Sequence, residues 1–210
     1  MFFDLRKAFD SVPHAPLLDK LSALKLNTHL LQWIHSYLAN RSQTVVVGGE
    51  ESSMQPVISG VSQGSVLGPP LFLIYINDVV ARVSPSSKLA LFADDIALYR
   101  SITSPADYVV LQSDITSISV WVLENWLTLH ANKCCYMLIT RKRLHSIPPP
   151  QLYVNQDTQL SRVNSVKYLG IHLTTDMSWA THITNICGKT RKLIELMYRL
   201  FHLCKPETAL

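Results

Sequence analysis

Two adjacent carboxylates, Asp94 and Asp95, stand inside an apolar run, Leu89-Ala90-Leu91-Phe92-Ala93-Asp94-Asp95-Ile96-Ala97-Leu98-Tyr99. An unpaired buried carboxylate costs several kcal/mol, so the pair needs a turn open to water or a divalent cation that takes hard oxygen ligands. Asp4 is an acid of the same kind, directly after the apolar start Met1-Phe2-Phe3, and Asp10 follows it before Pro13. If Asp4 and Asp94, 90 positions apart, end neighbouring strands, their carboxylates meet at one sheet edge. Such a set would hold two metal ions about 3.5–4 Å apart and suit phosphoryl transfer. The alternative is a plain polar turn, the commoner use of Asp-Asp in a hairpin.

A second stretch, Ser59-Gly60-Val61-Ser62-Gln63-Gly64-Ser65-Val66-Leu67-Gly68-Pro69, holds three of the seven glycines. Its backbone can approach a ligand closely and offer N–H groups to phosphate or sugar. It lacks the Lys-Ser/Thr ending of a phosphate loop and the GxGxxG of a dinucleotide site. The plainer reading is a strand-to-helix turn rich in small residues.

Several elements must position these residues. Leu17 to Leu38 reads as helical, with apolar residues at spacings of three, four and seven. Thr44 to Val47 is a β-branched strand ending at Gly48-Gly49, and a second strand around Met54 to Ile58 closes a hairpin. Leu67 to Val83 reads as a buried helix, with Pro69 tolerated at its start. Lys88 to Tyr99 reads as two strands joined at the acidic pair. Tyr108 to Leu127 is a helix, Cys135 to Thr140 a strand, and Arg141 to Pro150 a basic, Pro-rich connector. Tyr168 to Leu173 reads as a strand, and His182 to Leu203 as a basic amphipathic helix.

The 210 residues suffice for one domain with a real core, and 48% hydrophobic residues exclude a disordered chain. The four cysteines show no metal-finger spacing. The longest apolar stretch is broken by Pro69, Pro70, Asn77 and Asp78, so no membrane span is expected, and the first residues lack the features of a signal peptide. The expected location is intracellular, in nucleus or cytoplasm. Charge divides unevenly: residues 1–132 carry 8 basic and 11 acidic residues, and residues 133–210 carry 11 and 4. A basic C-terminal third suits an anionic partner such as nucleic acid, or is simply a solvated face.

Taken in order, these stretches resemble the reverse transcriptase of non-LTR retrotransposons, jockey-like elements in particular. Phe3-Asp4-Leu5-Arg6-Lys7-Ala8-Phe9-Asp10 is similar to motif A. Gly60 to Pro69, centred on Gln63-Gly64, is similar to motif B, and Phe92-Ala93-Asp94-Asp95 to motif C. Trp126-Leu127 through Asn132-Lys133-Cys134 is similar to motif D. Val166-Lys167-Tyr168-Leu169-Gly170 is similar to the motif that grips the primer.

The resemblance implies an α+β polymerase palm, an antiparallel sheet packed on helices, followed by the helical start of a thumb. Residues 1–145 would form the palm, with a finger-side insertion around 14–58, and residues 146–210 the primer-grip hairpin and thumb start. It implies two Mg²⁺ ions, with Mn²⁺ as a substitute, on Asp4 and Asp94, with Asp95 assisting and the Leu5 carbonyl as a further ligand. Phe9 would lie under the deoxyribose and exclude a 2′-hydroxyl. Gln63 and Gly64 would contact the incoming nucleotide and template base, and Lys133 would serve the triphosphate as cation or proton donor. Tyr168, Leu169 and Gly170 would support the primer end, and Lys189, Arg191, Lys192 and Arg199 would touch backbone phosphates. The implied partners are an RNA template, a DNA primer and deoxynucleoside triphosphates.

Three positions depart from the family pattern: Ser62 where Pro is usual, Pro70 where Leu is usual, and His130 where Asn is usual. The family's fingers and endonuclease regions precede motif A, whereas this chain starts three residues before Asp4. The expectation is therefore a truncated copy whose isolated chain is inactive or nearly so. The rival is a non-catalytic remnant with at most weak nucleic-acid binding. An RNA-copying palm polymerase fits less well, because Ala93 stands where those enzymes carry Gly and Phe9 suits deoxynucleotides. His14, His29, His35 and His182 form no ligand spacing, Cys134-Cys135 read as strand residues, and Trp33, Trp121, Trp126 and Trp179 read as core.

Overall fold

The computed structural model describes residues 1–140, 150–155 and 158–203. The connector expected at Arg141 to Pro150, Pro150 excepted, and the boundary expected after residue 145 lie outside the described residues. The chain divides into two compact units, Met1–Tyr136 with Pro149–Ser161, and Met137–Pro148 with Arg162–Leu210.

The first unit is mixed α and β. It begins with β1 (Phe2–Phe3), α1 (His14–Ala23) and α2 (Thr28–Leu38). Four short strands follow, β2 (Ser42–Gln43), β3 (Val46–Val47), β4 (Glu50–Glu51) and β5 (Gln55–Pro56). Then come α3 (Gly68–Ile76), β6 (Lys88–Phe92), β7 (Asp95–Tyr99), α4 (Pro105–Glu124), β8 (Cys135–Tyr136), β9 (Tyr153–Asn155) and β10 (Thr158–Gln159). β11 (Ser161–Arg162) lies where the units divide.

In the sheet of this unit β8, β1, β7 and β6 lie side by side in that order, with β1 antiparallel to both neighbours. Phe2 pairs with Ala97 and with Cys135, and Phe3 with Ile96. The β6–β7 hairpin closes on Phe92 opposite Asp95, and Ala93 turns the chain at φ +51°. Packed on the sheet is a core of Leu17 and Leu21 from α1, Phe72, Tyr75 and Ile76 from α3, and Ile115, Ile118 and Trp121 from α4, all fully buried. Lys20 ties three of these pieces together: its Nζ donates to the Tyr75 carbonyl at 2.7 Å, to Asp78 at 2.8 Å and to Asn125 at 2.7 Å.

Several sequence expectations need correction. The helix expected over Leu17 to Leu38 is two helices, because Lys25 turns the chain at φ +56° and the Asn27 side chain caps α2 by accepting the His29 N–H at 2.8 Å. The hairpin expected from Thr44 to Ile58 consists of two separate two-residue ladders, Val46–Val47 on Glu50–Glu51 and Ser42–Gln43 on Gln55–Pro56. The helix expected over Leu67 to Val83 ends at Ile76 and continues as a tighter 3₁₀ turn, Asn77–Arg82. The strand expected over Cys135 to Thr140 is two residues long. Of the four tryptophans only Trp121 is core; Trp33, Trp126 and Trp179 are all more than half exposed.

In the second unit β12 (Ser165–Tyr168) and β13 (Ile171–Thr174) form an antiparallel hairpin, followed by α5 (Ala180–Leu203). The single strand expected from Tyr168 to Leu173 is thus the inner part of this hairpin: the chain reverses at Leu169-Gly170, where φ is +47° and +83°.

Candidate active site

The register of the sheet carries the acids together. The antiparallel ladder ends at Phe3 opposite Ile96, so Asp4 and Asp95, the next residues on each strand, leave it at one end, where the Asp4 charge acts on Asp95 and the β6–β7 turn adds Asp94. Burial, then the charge of Asp94, then that of Asp4 push the Asp95 carboxyl above its ordinary value. The shift favours the neutral form, first because burial strips water from the carboxylate and then because like charges crowd there. Asp4 is held on its other side as well: its carbonyl accepts the His130 N–H at 2.8 Å, and the Arg6 N–H reaches the Thr128 carbonyl at 2.8 Å. These two bonds frame Leu5 opposite Leu129 and leave the Leu5 carbonyl out of the bridge.

The same segment delivers a cation. A 3₁₀ turn, Ala131–Lys133, follows His130, and the Lys133 N–H bonds the His130 carbonyl at 2.8 Å. The Lys133 ammonium then lies 3.7 Å from Asp4 Oδ1, with both side chains substantially exposed.

The Gln63-Gly64 loop is fastened to the turn after Asp4. Gly60 N–H donates to Val12 at 2.7 Å, Val61 N–H to Phe9 at 2.8 Å, and Ser59 Oγ to the Asp10 carbonyl at 3.0 Å. Gly60 sits at φ +94°, and a β-carbon on it would lie 3.0 Å from the Asp10 α-carbon and carbonyl oxygen. His14 Nε2 is 2.8 Å from the Gly60 carbonyl. On the C-terminal side Ser65 Oγ donates to Ser62 at 2.7 Å and accepts the Gly68 N–H at 2.9 Å, which sets the loop onto α3. Gln63 and Gly64 are left exposed. Phe9 stacks on Phe72 of α3, centroids 4.4 Å apart and planes 19° off parallel.

Asp4, Asp94, Asp95 and Lys133 therefore share one sheet end, and the Gln63 loop is bonded to the same turn that carries Phe9. Asp10 contributes backbone to this arrangement, and its side chain is exposed. Tyr168, Leu169 and Gly170 occupy the hairpin turn of the second unit, and Lys189, Arg191, Lys192 and Arg199 line exposed positions of α5. From the sequence, Ser59 and Ser65 were only members of the small-residue loop and His14 only a histidine without ligand spacing; that they fasten the loop was not foreseen. A serine or histidine that bonds backbone carries no periodic signal, so nothing in the chain's pattern marked them.

Among the described residues no three or more His, Cys, Asp or Glu side chains cluster closely enough to hold a metal ion by themselves. The donor set still suits a hard cation that keeps most of its ligands as water and substrate oxygen: exposed carboxylates, mutual repulsion, and no soft ligand required.

The family model for reverse transcriptase (RNA-dependent DNA polymerase) matches residues 1–173. The chain belongs to the reverse transcriptase family. Its relatives place this reverse transcriptase among those of non-LTR retrotransposons. It is 35% identical over 193 residues to the RNA-directed DNA polymerase from mobile element jockey of Drosophila melanogaster, covering 88% of this chain and 20% of that protein. The jockey polymerase of Drosophila funebris is 31% identical over 203 residues, 93% of this chain and 22% of that protein. The probable RNA-directed DNA polymerase from transposon X-element of Drosophila melanogaster is 30% identical over 204 residues, 95% and 22%. The reverse transcriptase chain thus spans about a fifth of the length of the curated relatives it matches. No helix among its described residues is long and apolar enough to cross a membrane.

Proposed function

We propose that this chain is the palm and thumb start of an RNA-directed DNA polymerase that adds deoxynucleotides to a primer 3′-hydroxyl on an RNA template. The observation that carries the reading is the register that brings Asp4 and Asp95 to one end of the ladder, where the β6–β7 turn adds Asp94. Asp4, Asp94 and the Leu5 carbonyl would hold the divalent ions, and Asp95 would keep the pair in place. Magnesium bound there would make the primer hydroxyl more acidic and take up charge on the departing pyrophosphate.

The remaining steps belong to the chain's own groups. Phe9, braced by Phe72, presents a flat wall where the sugar would lie and leaves no room for a 2′-oxygen. The Gln63-Gly64 loop offers an amide side chain and an open backbone to the incoming base. Lys133, 3.7 Å from Asp4, would serve the triphosphate as a cation or as a proton donor to pyrophosphate. Tyr168-Leu169-Gly170 supports the primer end, and Lys189, Arg191, Lys192 and Arg199 bind phosphates without reading sequence.

Primer extension on an RNA template tests this, comparing the wild type with Asp94→Asn and Asp4→Asn. Incorporation lost in both variants supports the reading, and incorporation indifferent to both overturns it. Salt-sensitive RNA binding through the exposed bases of α5, with no metal-dependent incorporation, would instead mark a non-catalytic remnant.

A further inference from the structure

We propose that the outer face of α2 is a stacking site for single-stranded nucleic acid, built by Trp33, Tyr37 and Arg41. α2 anchors itself to the core through Ile34 and Leu38, both nearly fully buried, with Tyr37 packed partly against the same core, so Trp33 is not needed to hold the helix down. Trp33 is 54% exposed, although a lone tryptophan on a surface forfeits a large burial gain. One turn on, Tyr37 stacks beside it, ring centroids 6.4 Å apart and planes 28° off parallel. The Tyr37 hydroxyl is buried and has no hydrogen-bond partner among the described residues, so the ring is placed by packing and not by its polar end.

The third rung comes from the chain reversal after the helix. Asn40 takes φ +53°, and the guanidinium carbon of Arg41 comes 5.1 Å over the Tyr37 ring. Arg41 is itself anchored, because its carbonyl accepts the Val57 N–H at 2.8 Å beside the β2–β5 ladder. The result is a row of indole, phenol and guanidinium on two anchored segments, with the indole as its open end.

Charge selects the occupant. From Lys20 to Gly49 the sequence has no Asp or Glu; Lys20 is already paired with Asp78, which leaves Lys25 and Arg41 as the free bases of this stretch. The rest of residues 1–132 is acidic overall, with 11 acids against 5 bases. Aromatic faces joined to a cation in an acid-free region match a polyanion with exposed bases, which stack without sequence preference. The site needs no polymerase chemistry.

The test uses the full chain and a fluorescent oligouridylate, read by anisotropy. Trp33→Ala is expected to weaken binding about 5- to 100-fold, the range for losing one stacked base, and Trp33→Phe to restore most of it. Arg41→Gln is expected to lower the slope of log K against log salt by about 0.7, one phosphate contact on a single strand. Photocrosslinking of wild type to 4-thiouridine RNA should label the peptide spanning residues 26–41, which keeps the test independent of whether a variant folds. Equal binding by Trp33→Ala and wild type, or labelling confined to other peptides, overturns the proposal and leaves this face to a protein partner.

Discussion

Lys133 Nζ stands 3.7 Å from Asp4 Oδ1, a lysine set against the acid that follows the central strand. The pair is solvent-exposed, so it is worth at most about 1 kcal/mol. Lys133→Met removes the only cation paired with Asp4 among the described residues, and a divalent ion no longer competes with it. Manganese binding to the nucleotide-free chain, followed by electron paramagnetic resonance, should tighten by up to about fivefold while incorporation falls. Weaker manganese binding in the variant would show that Lys133 helps to build the metal site.

Asp95 carries the clearest electrostatic load at the site. Its carboxyl is raised above the ordinary 3.8 by burial and by the charges of Asp94 and Asp4. A raised carboxyl binds its proton more tightly in the folded chain, so stability falls as pH rises from about 3.8 through the native value, and the full penalty is present above it. Asp95→Asn should therefore raise the melting temperature of the metal-free chain at pH about 7, with the gain disappearing below about pH 3.8 where the carboxyl is neutral in both states. A lower melting temperature at neutral pH would contradict this account.

Gly60 and Gly64 make a matched pair for mutagenesis. Both have positive φ, +94° and +85°, but a β-carbon at Gly60 meets Asp10 backbone at 3.0 Å and one at Gly64 meets nothing within 4 Å. Gly64→Ala should cost about 1 kcal/mol from backbone conformation alone, and Gly60→Ala at least about 2 kcal/mol because the loop must also move off Asp10. Urea unfolding measures both. Equal losses would mean that the contact with Asp10 yields without effort.

The start of α4 supplies a pH dependence far from the acidic site. Asp107 accepts the Thr103 and Ser104 N–H groups, each at 2.9 Å, and pairs with Arg100 at 2.9 Å. The Thr103 N–H first, then Arg100, hold its carboxyl well below the ordinary carboxylate range. A depressed native value means stabilisation that is present above the unfolded value of 3.8 and lost as pH falls through the native one. Asp107→Asn should be less stable at neutral pH and should show a flatter fall in stability below about pH 4. An unchanged acid limb would assign that limb to other carboxylates.

Much of this arrangement was legible in the residues. The apolar runs on both sides of Asp94-Asp95 mark two strands, because a short continuous apolar run broken by a polar turn is a signal contained within a few residues. The helical pattern of α4, expected from Tyr108 and found from Pro105, and the amphipathic α5 were readable for the same local reason, whereas the Ser104–Asp107 cap that starts α4 went unread. Less legible was the break between α1 and α2, since Leu24 and Leu26 continue the apolar pattern across Lys25 and only backbone conformation ends the helix. The tryptophans misled because composition alone assigns large aromatics to the core, whereas Trp33 faces outward beside Tyr37 and Arg41.

By itself the sequence determined the acids, their apolar settings, the small-residue loop and the order of motifs that marks the family. It could not decide which acids share a sheet end, since strand register depends on partners 90 and more residues away. Only the tertiary structure set Phe3 against Ile96, and with that step brought Asp4 and Asp95 to one end of the ladder. The approach of Lys133 to Asp4 and the seat of Gly60 on Asp10 are likewise contacts between distant segments. Local preferences choose elements, but the distances that matter for chemistry are fixed by how the core packs those elements together.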